Sequence, residues 1–181
     1  MSTAVIVRAH LPAALESLRR RSVADAADGL PAHLTMLHPF IEWDALGPEI
    51  GRAIASIAEV HAPFAYRMTG PHRWPDAIYV AVDPGDPFVR LQADLAAAFP
   101  AFPIYGEPAS FVFVPHITVA EGPAVDDPRT IDDPAWADLP SASLASRLEV
   151  IATDGGPWEL ILSLPLGRRG RAQLRRPPQR R

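Results

Sequence analysis

Twice along this chain a strand-like apolar run, a helix-length amphipathic stretch and a second strand-like run carrying His-x-Thr follow one another in the same order. This duplication constrains the fold more than any other feature. In the first half Ala4-Val5-Ile6-Val7-Arg8-Ala9 reads as a strand, residues 12–27 as a helix, and the chain returns in a strand at His33. In the second, Ala77-Ile78-Tyr79-Val80-Ala81-Val82 reads as a strand. Residues 87–99 follow as a helix with Phe88, Leu91, Leu95 and Phe99 at its apolar positions, and the chain returns through Phe111-Val112-Phe113-Val114 to His116. Two such lobes packed about a pseudo-twofold axis bring equivalent residues face to face across a cleft.

The residues placed there are His33-Leu34-Thr35 and His116-Ile117-Thr118, 83 positions apart. Side chains at i and i+2 of a strand share a face, so each motif presents an imidazole beside a hydroxyl while Leu34 and Met36, or Ile117 and Val119, point the other way. The bare pattern is cheap: six His and fifteen Ser plus Thr in 181 residues give roughly half a chance match. Either histidine alone is best read as a side chain on a partly buried strand. The pair, at equivalent points of a repeat, points to general acid and base chemistry on one phosphoryl group. An unperturbed imidazole titrates near ~6.5, and a positioned acid or base contributes about 10² to 10⁴-fold in rate.

Composition removes competing chemistries. There is no Cys, hence no disulfide, thiolate nucleophile or iron-sulfur cluster. All seventeen basic residues are Arg, which excludes a P-loop lysine, a Schiff-base lysine and ligation through a nucleotidyl-lysine. No apolar run approaches the ~20 residues that span a bilayer, and no signal-peptide core is present, so a cytoplasmic protein without membrane contact is expected. The length suits one domain, residues 1–167, expected to be monomeric. The last stretch, 168–181, carries seven Arg and no acid, against ten Arg and twenty-one acids before it, and reads as a solvated, disordered basic tail.

Between the motifs, residues 50–60 have helical apolar spacing and residues 64–69 alternate like a strand ending at Gly70-Pro71. Asp83-Pro84-Gly85-Asp86 reads as a turn that caps the following helix. Residues 122–140 are acidic and proline-dotted, a loop or short helix. Asp154-Gly155-Gly156 between two β-rich runs marks a hairpin.

The stretches Ala32-His33-Leu34-Thr35-Met36-Leu37-His38-Pro39-Phe40 and Val114-Pro115-His116-Ile117-Thr118-Val119-Ala120 resemble the two-histidine (2H) phosphoesterase superfamily, in particular its 2'-5' RNA ligase-like (LigT-like) branch. Pro75-Asp76-Ala77-Ile78-Tyr79-Val80 and the hairpin near Trp158 extend the likeness over roughly residues 4–167. The resemblance implies an α+β, bilobal fold: two pseudo-symmetric lobes of mostly antiparallel sheet, helices outside, a central cleft. It also implies cleavage or formation of a 2',3'-cyclic phosphate or 2'-5' phosphodiester without a metal or other cofactor. His33 and His116 would be acid and base in an order the sequence leaves open, and Thr35 and Thr118 would donate to the nonbridging oxygens.

Weaker candidates surround these four. Phe40, Trp74 and Tyr105 are aromatic groups that could stack on a base, with core packing the better reading of Phe40. Arg73 could pair with a phosphate, although a single loop Arg is usually just solvated. Regular alternation sends His38 to the face opposite His33, and a zinc site from His33, His38 and His116 lacks the spacing and the acid that zinc sites show. Some relatives place basic residues just after the second motif; here the chain continues Glu121-Gly122-Pro123-Ala124-Val125-Asp126-Asp127. That favours a small nucleotide or an RNA end over a long RNA as partner. A nucleotide- or RNA-terminus-binding protein without turnover, and a phosphoesterase for a non-RNA cyclic phosphate, are the alternatives.

Overall fold

A computed structural model describes residues 2–107 and 111–167. The chain runs β1 (Ser2–Arg8), α1 (Ala13–Ser22), α2 (Ala24–Ala27), β2 (His33–Leu37), α3 (Pro48–Val60), β3 (Phe64–Arg73), β4 (Ala77–Asp83), α4 (Asp86–Ala98), β5 (His116–Glu121), α5 (Pro128–Ile131), β6 (Ser141–Ala145), β7 (Arg147–Thr153) and β8 (Glu159–Pro165). The strands form two four-stranded sheets, ordered β2-β1-β7-β8 and β5-β4-β3-β6. Every pairing is antiparallel. The two orders superpose on the duplicated sequence pattern, with each His-x-Thr strand at a sheet edge beside the strand that opens its repeat. β2 and β5 lie against each other, and the helices cross over: α1 packs on β5 and α4 on β2. This is the expected α+β architecture of two pseudo-symmetric lobes.

One core joins the sheets. Val5, Val7, Leu34 and Met36 from one, and Ile78, Val80, Ile117 and Val119 from the other, are all essentially inaccessible, together with Leu15 and Leu18 of α1 and Leu91 and Leu95 of α4. Each such side chain contributes about 1.5–3 kcal/mol by leaving water. Burial of Leu34, Met36, Ile117 and Val119 fixes the opposite faces of β2 and β5, and thus His33, Thr35, His116 and Thr118, toward the cleft.

Both motif strands then break register at the same point. On β2, Thr35 pairs with Ile6 but Leu37 with Val5; on β5, Thr118 pairs with Tyr79 but Ala120 with Ile78. Each Thr is therefore followed by one extra residue, Met36 or Val119. A bulge of this kind inverts the parity of the residues after it. It puts His38 on the side of His33, against the expectation from regular alternation, and Glu121 on the side of Thr118.

Other departures have local causes. The helix expected over 12–27 is two helices, separated by Val23 in extended conformation. β3 continues past Thr69 to Arg73 because Gly70 and Pro71 sit at a ladder irregularity, where proline's missing N–H costs nothing. The cap of α4 is Gly85, with no side-chain hydrogen bond, while Asp86 lies in the first turn and favours the helix electrostatically. Residues 111–114 run outside the sheets, and 122–140 contain α5 and two 3₁₀ turns. The hairpin forms as expected, with Gly155 at φ +97°. Gly167, at φ +67°, donates its N–H to the Ala58 carbonyl near the end of α3. The segment 168–181 lies outside the described residues.

Candidate active site

The two histidines are held the same way. His33 Nδ1 lies 2.8 Å from the Pro31 carbonyl and His116 Nδ1 lies 2.8 Å from the Val114 carbonyl, in each case two residues upstream. A carbonyl oxygen is only an acceptor, so Nδ1 carries the proton and donates, and in the neutral ring Nε2 keeps its lone pair. Each Nε2 thereby keeps a lone pair that can accept a proton. His33 Nε2 is 3.1 Å from Thr35 Oγ1, so the Thr35 hydroxyl donates to it; Thr35 is in turn hydrogen-bonded to the Tyr105 hydroxyl. His116 is steadied by rings: Trp74 stands edge-on at 4.6 Å and Tyr79 at 5.6 Å, and these two stack on each other at 4.0 Å.

His33, Thr35, His116 and Thr118 share a cavity of about 160 Å³ with Tyr105, Arg19 and Glu121. That is room for roughly five waters, the scale of a phosphoryl group and its attached oxygens rather than of a nucleoside. Past His116 and Thr118 it opens into a chamber of about 630 Å³. A separate hollow beside Arg8, His10 and Arg20 contains none of the four motif residues.

Both imidazoles are harder to protonate than a free one. His33 is lowered to about 4, first by burial, then by the Arg19 charge and by His116, with only the Pro31 carbonyl acting the other way. His116 is lowered by burial, opposed by the Val114 carbonyl and by the Asp76 carboxylate. The histidines are thus unequal: one sits deep beside a cation, the other opens toward a carboxylate.

Arg19 is the residue that motif reasoning passes over. It is 2% exposed and donates to the carbonyls of Leu30 at 2.9 Å and Pro31 at 3.2 Å, with Glu16 at 3.4 Å. Pro31 O therefore accepts from both Arg19 and His33, so α1 positions the first histidine through one shared carbonyl. The signal was present in the sequence: Arg19 falls four residues after Leu15, on the stripe that Leu15 and Leu18 bury. Glu121 is the second such residue, brought to the cleft by the bulge; burial of its carboxyl end and the nearby Asp25 raise its pKa, while the Ala24 N–H and Arg19 lower it. Asp76, facing His116, is the third.

The weaker candidates divide. Trp74 and Tyr105 line the chamber. Phe40 does not join them: it is 5% exposed and packs edge-to-face on Phe99 at 5.1 Å and Phe102 at 5.4 Å, core contacts that leave no face for a base. Arg73 ends β3 and donates to Asp126 at 2.8 Å, an exposed pair that lines neither cavity. His38 meets Trp158 edge-on at 6.3 Å and does not line the histidine pocket. Among the described residues no group of three His, Asp or Glu side chains is placed to hold a metal ion, and no helix is long and apolar enough to cross a membrane.

None of the curated proteins matches the chain. Among solved structures, TT0787 of Thermus thermophilus aligns with 17% identity and a TM-score of 0.58, covering 92% of this chain and 98% of that one. E. coli LigT complexed with 3'-AMP aligns with 15% identity and a TM-score of 0.53, and LigT complexed with NADP+ with 14% and 0.51, at the same coverages. Identities this low speak to the fold alone. The 2'-5' RNA ligase superfamily model, by contrast, matches the sequence itself over residues 7–157. That span runs from the end of β1 to the turn before β8 and takes in both histidine motifs, so the chain belongs to the 2'-5' RNA ligase superfamily.

Proposed function

We propose that this protein is a metal-independent phosphoesterase acting on a 2',3'-cyclic phosphate or a 2'-5' phosphodiester, with His33 and His116 as general base and acid. The observation that carries this reading is the matched tethering of the two rings: each gives its Nδ1–H to a backbone carbonyl and offers Nε2 to one phosphoryl-sized cavity. E. coli LigT, solved with 3'-AMP and with NADP+, supports a nucleotide as the ligand class.

In hydrolysis of a cyclic phosphate a water attacks phosphorus. One Nε2 takes the proton from that water as the new P–O bond forms. The bond from phosphorus to one ribose oxygen breaks, and the other histidine, entering as imidazolium, protonates that oxygen to give a phosphomonoester and a free hydroxyl. His33, which burial and Arg19 keep neutral, suits the base; His116, beside Asp76, suits the acid. Thr118 and, once its bond to His33 is released, Thr35 donate to the nonbridging oxygens where charge accumulates. With the 5'-hydroxyl of a second nucleoside in place of water the same steps form a 2'-5' phosphodiester, and cleavage of that diester to the cyclic phosphate runs them backward with the two roles exchanged.

The test is hydrolysis of 2',3'-cyclic AMP by the wild type, His33→Ala and His116→Ala, all in EDTA. Turnover in the wild type that both substitutions abolish supports the reading. Turnover that EDTA removes and zinc restores, or that survives in both variants, contradicts it.

A further inference from the structure

The chamber beyond His116 has walls of one kind and charges of one sign. Trp74, Tyr105, Phe111 and Phe113 line it, and Val112 at its rim is 77% exposed, an unusual display of apolar surface for residues that have a core available. Its carboxylates are Asp76, Glu107 and Glu121, its other titratable groups are His116 and the Tyr105 phenol, and among the described residues it contains no Arg. Two features of the chain account for this. The bulge after Thr118 turns Glu121 into the cleft, where regular alternation would have sent it to the core. The nearest arginine in sequence, Arg73, is drawn off by Asp126.

Arg19 lines the small pocket alone, Asp76 and Glu107 line the chamber alone, and Glu121 lines both. Arg19 stands in the small pocket with the two histidines, whereas the space that would hold the rest of a substrate is aromatic and acidic. An aromatic wall accepts any base, since every base has a π-face. An acidic wall without arginine repels a second phosphate, and in a partly enclosed cavity that repulsion is less screened than on an open surface.

We infer that this site selects substrates carrying a single phosphate, a nucleoside whose only anionic group is the one held between the histidines, and rejects nucleotides with a further phosphate at the 5' position, RNA strands included. The inference rests on the phosphoesterase reading for which end of the ligand enters the small pocket, but its test does not use turnover. Dissociation constants of 3'-AMP and adenosine 3',5'-bisphosphate are measured by calorimetry on the full chain at low salt, then in 0.5 M NaCl, and then on an Asp76→Asn/Glu107→Gln variant at low salt. These probes differ only by the 5'-phosphate.

The expected result is 3'-AMP binding at least tenfold tighter, with the preference falling at least threefold in salt and in the variant. Equal or tighter binding of the bisphosphate, a preference untouched by salt and by the variant, or failure of both ligands to bind would each overturn the inference. A wild type that discriminates as expected yet turns over no cyclic nucleotide would leave this inference standing and remove the phosphoesterase reading instead.

Discussion

The burial of His33 has a consequence for folding that can be measured without any substrate. In the unfolded chain this imidazole takes its proton near 6.5, and in the folded chain near 4. The folded state therefore binds fewer protons between these values, protonation favours unfolding, and stability is full above about pH 6.5 and lost progressively as pH falls toward 4. The shift corresponds to about 3 kcal/mol in the low-pH limit, and at pH 5 to about 2 kcal/mol relative to pH 8. His33→Gln removes the titration. With a urea m-value of about 2 kcal/mol/M, the wild-type midpoint should fall about 1 M further than the variant's between pH 8 and pH 5. His116, lowered in the same direction, and Glu121, raised and so opposite in sign, are common to both chains and cancel in the comparison to the extent that they are independent of His33. Parallel midpoint curves for wild type and His33→Gln would refute the claim that this ring is held neutral by its surroundings.

The same shifts set the pH profile of turnover: kcat/KM for a cyclic nucleotide should peak below neutrality, because both free-enzyme imidazoles are lowered, and the kcat profile should lie to its alkaline side, because bound phosphate favours imidazolium. Coincident profiles centred above pH 7 would contradict this. Arg19→Met should move the acid limb of kcat/KM toward 6.5 and destabilise the fold by about 1–3 kcal/mol through the Leu30 carbonyl, which loses its donor while Pro31 keeps His33. Arg19→Lys should restore much of the limb position; a limb unmoved in a folded Arg19→Met protein would make the residue merely structural. Thr118→Val should lower kcat about 10²-fold with little change in KM if its hydroxyl serves the transition state, and an effect confined to KM would assign it to ground-state binding. Gly167→Ala should cost about 1–3 kcal/mol in denaturant titration, since φ is +67° and an added Cβ would meet Pro63 at 3.1 Å and Ala62 at 3.2 Å; a neutral substitution would show the backbone at Gly167 free to shift.

The legible part of the fold comes from period. Alternation through Leu34 and Met36, and through Ile117 and Val119, separates core from cleft face without coordinates, and the repeated strand, helix and strand order places the two motifs at equivalent edges. Period could not show where it is itself interrupted. One extra residue after each Thr reverses the faces of His38 and Glu121, and nothing in Met36 or Val119 announces a bulge. Phe40 illustrates a different limit: its tendency to bury was plain, but its packing against Phe99 and Phe102 depends on a helix end and loop some sixty residues away. Arg19 could have been found, because a charged residue on an otherwise buried helical stripe must meet partners inside the protein. Which carbonyls it meets, and that one of them also holds His33, is tertiary information.

Single-turnover hydrolysis of 2',3'-cyclic AMP in EDTA by His33→Ala, His116→Ala and the double variant tests most directly whether the two histidines act together on one phosphoryl group. The account expects each single substitution to cost at least 10²-fold and the double to cost little more than either, as for groups that work only as a pair. Losses that multiply in the double variant, or a loss confined to one histidine, would contradict it.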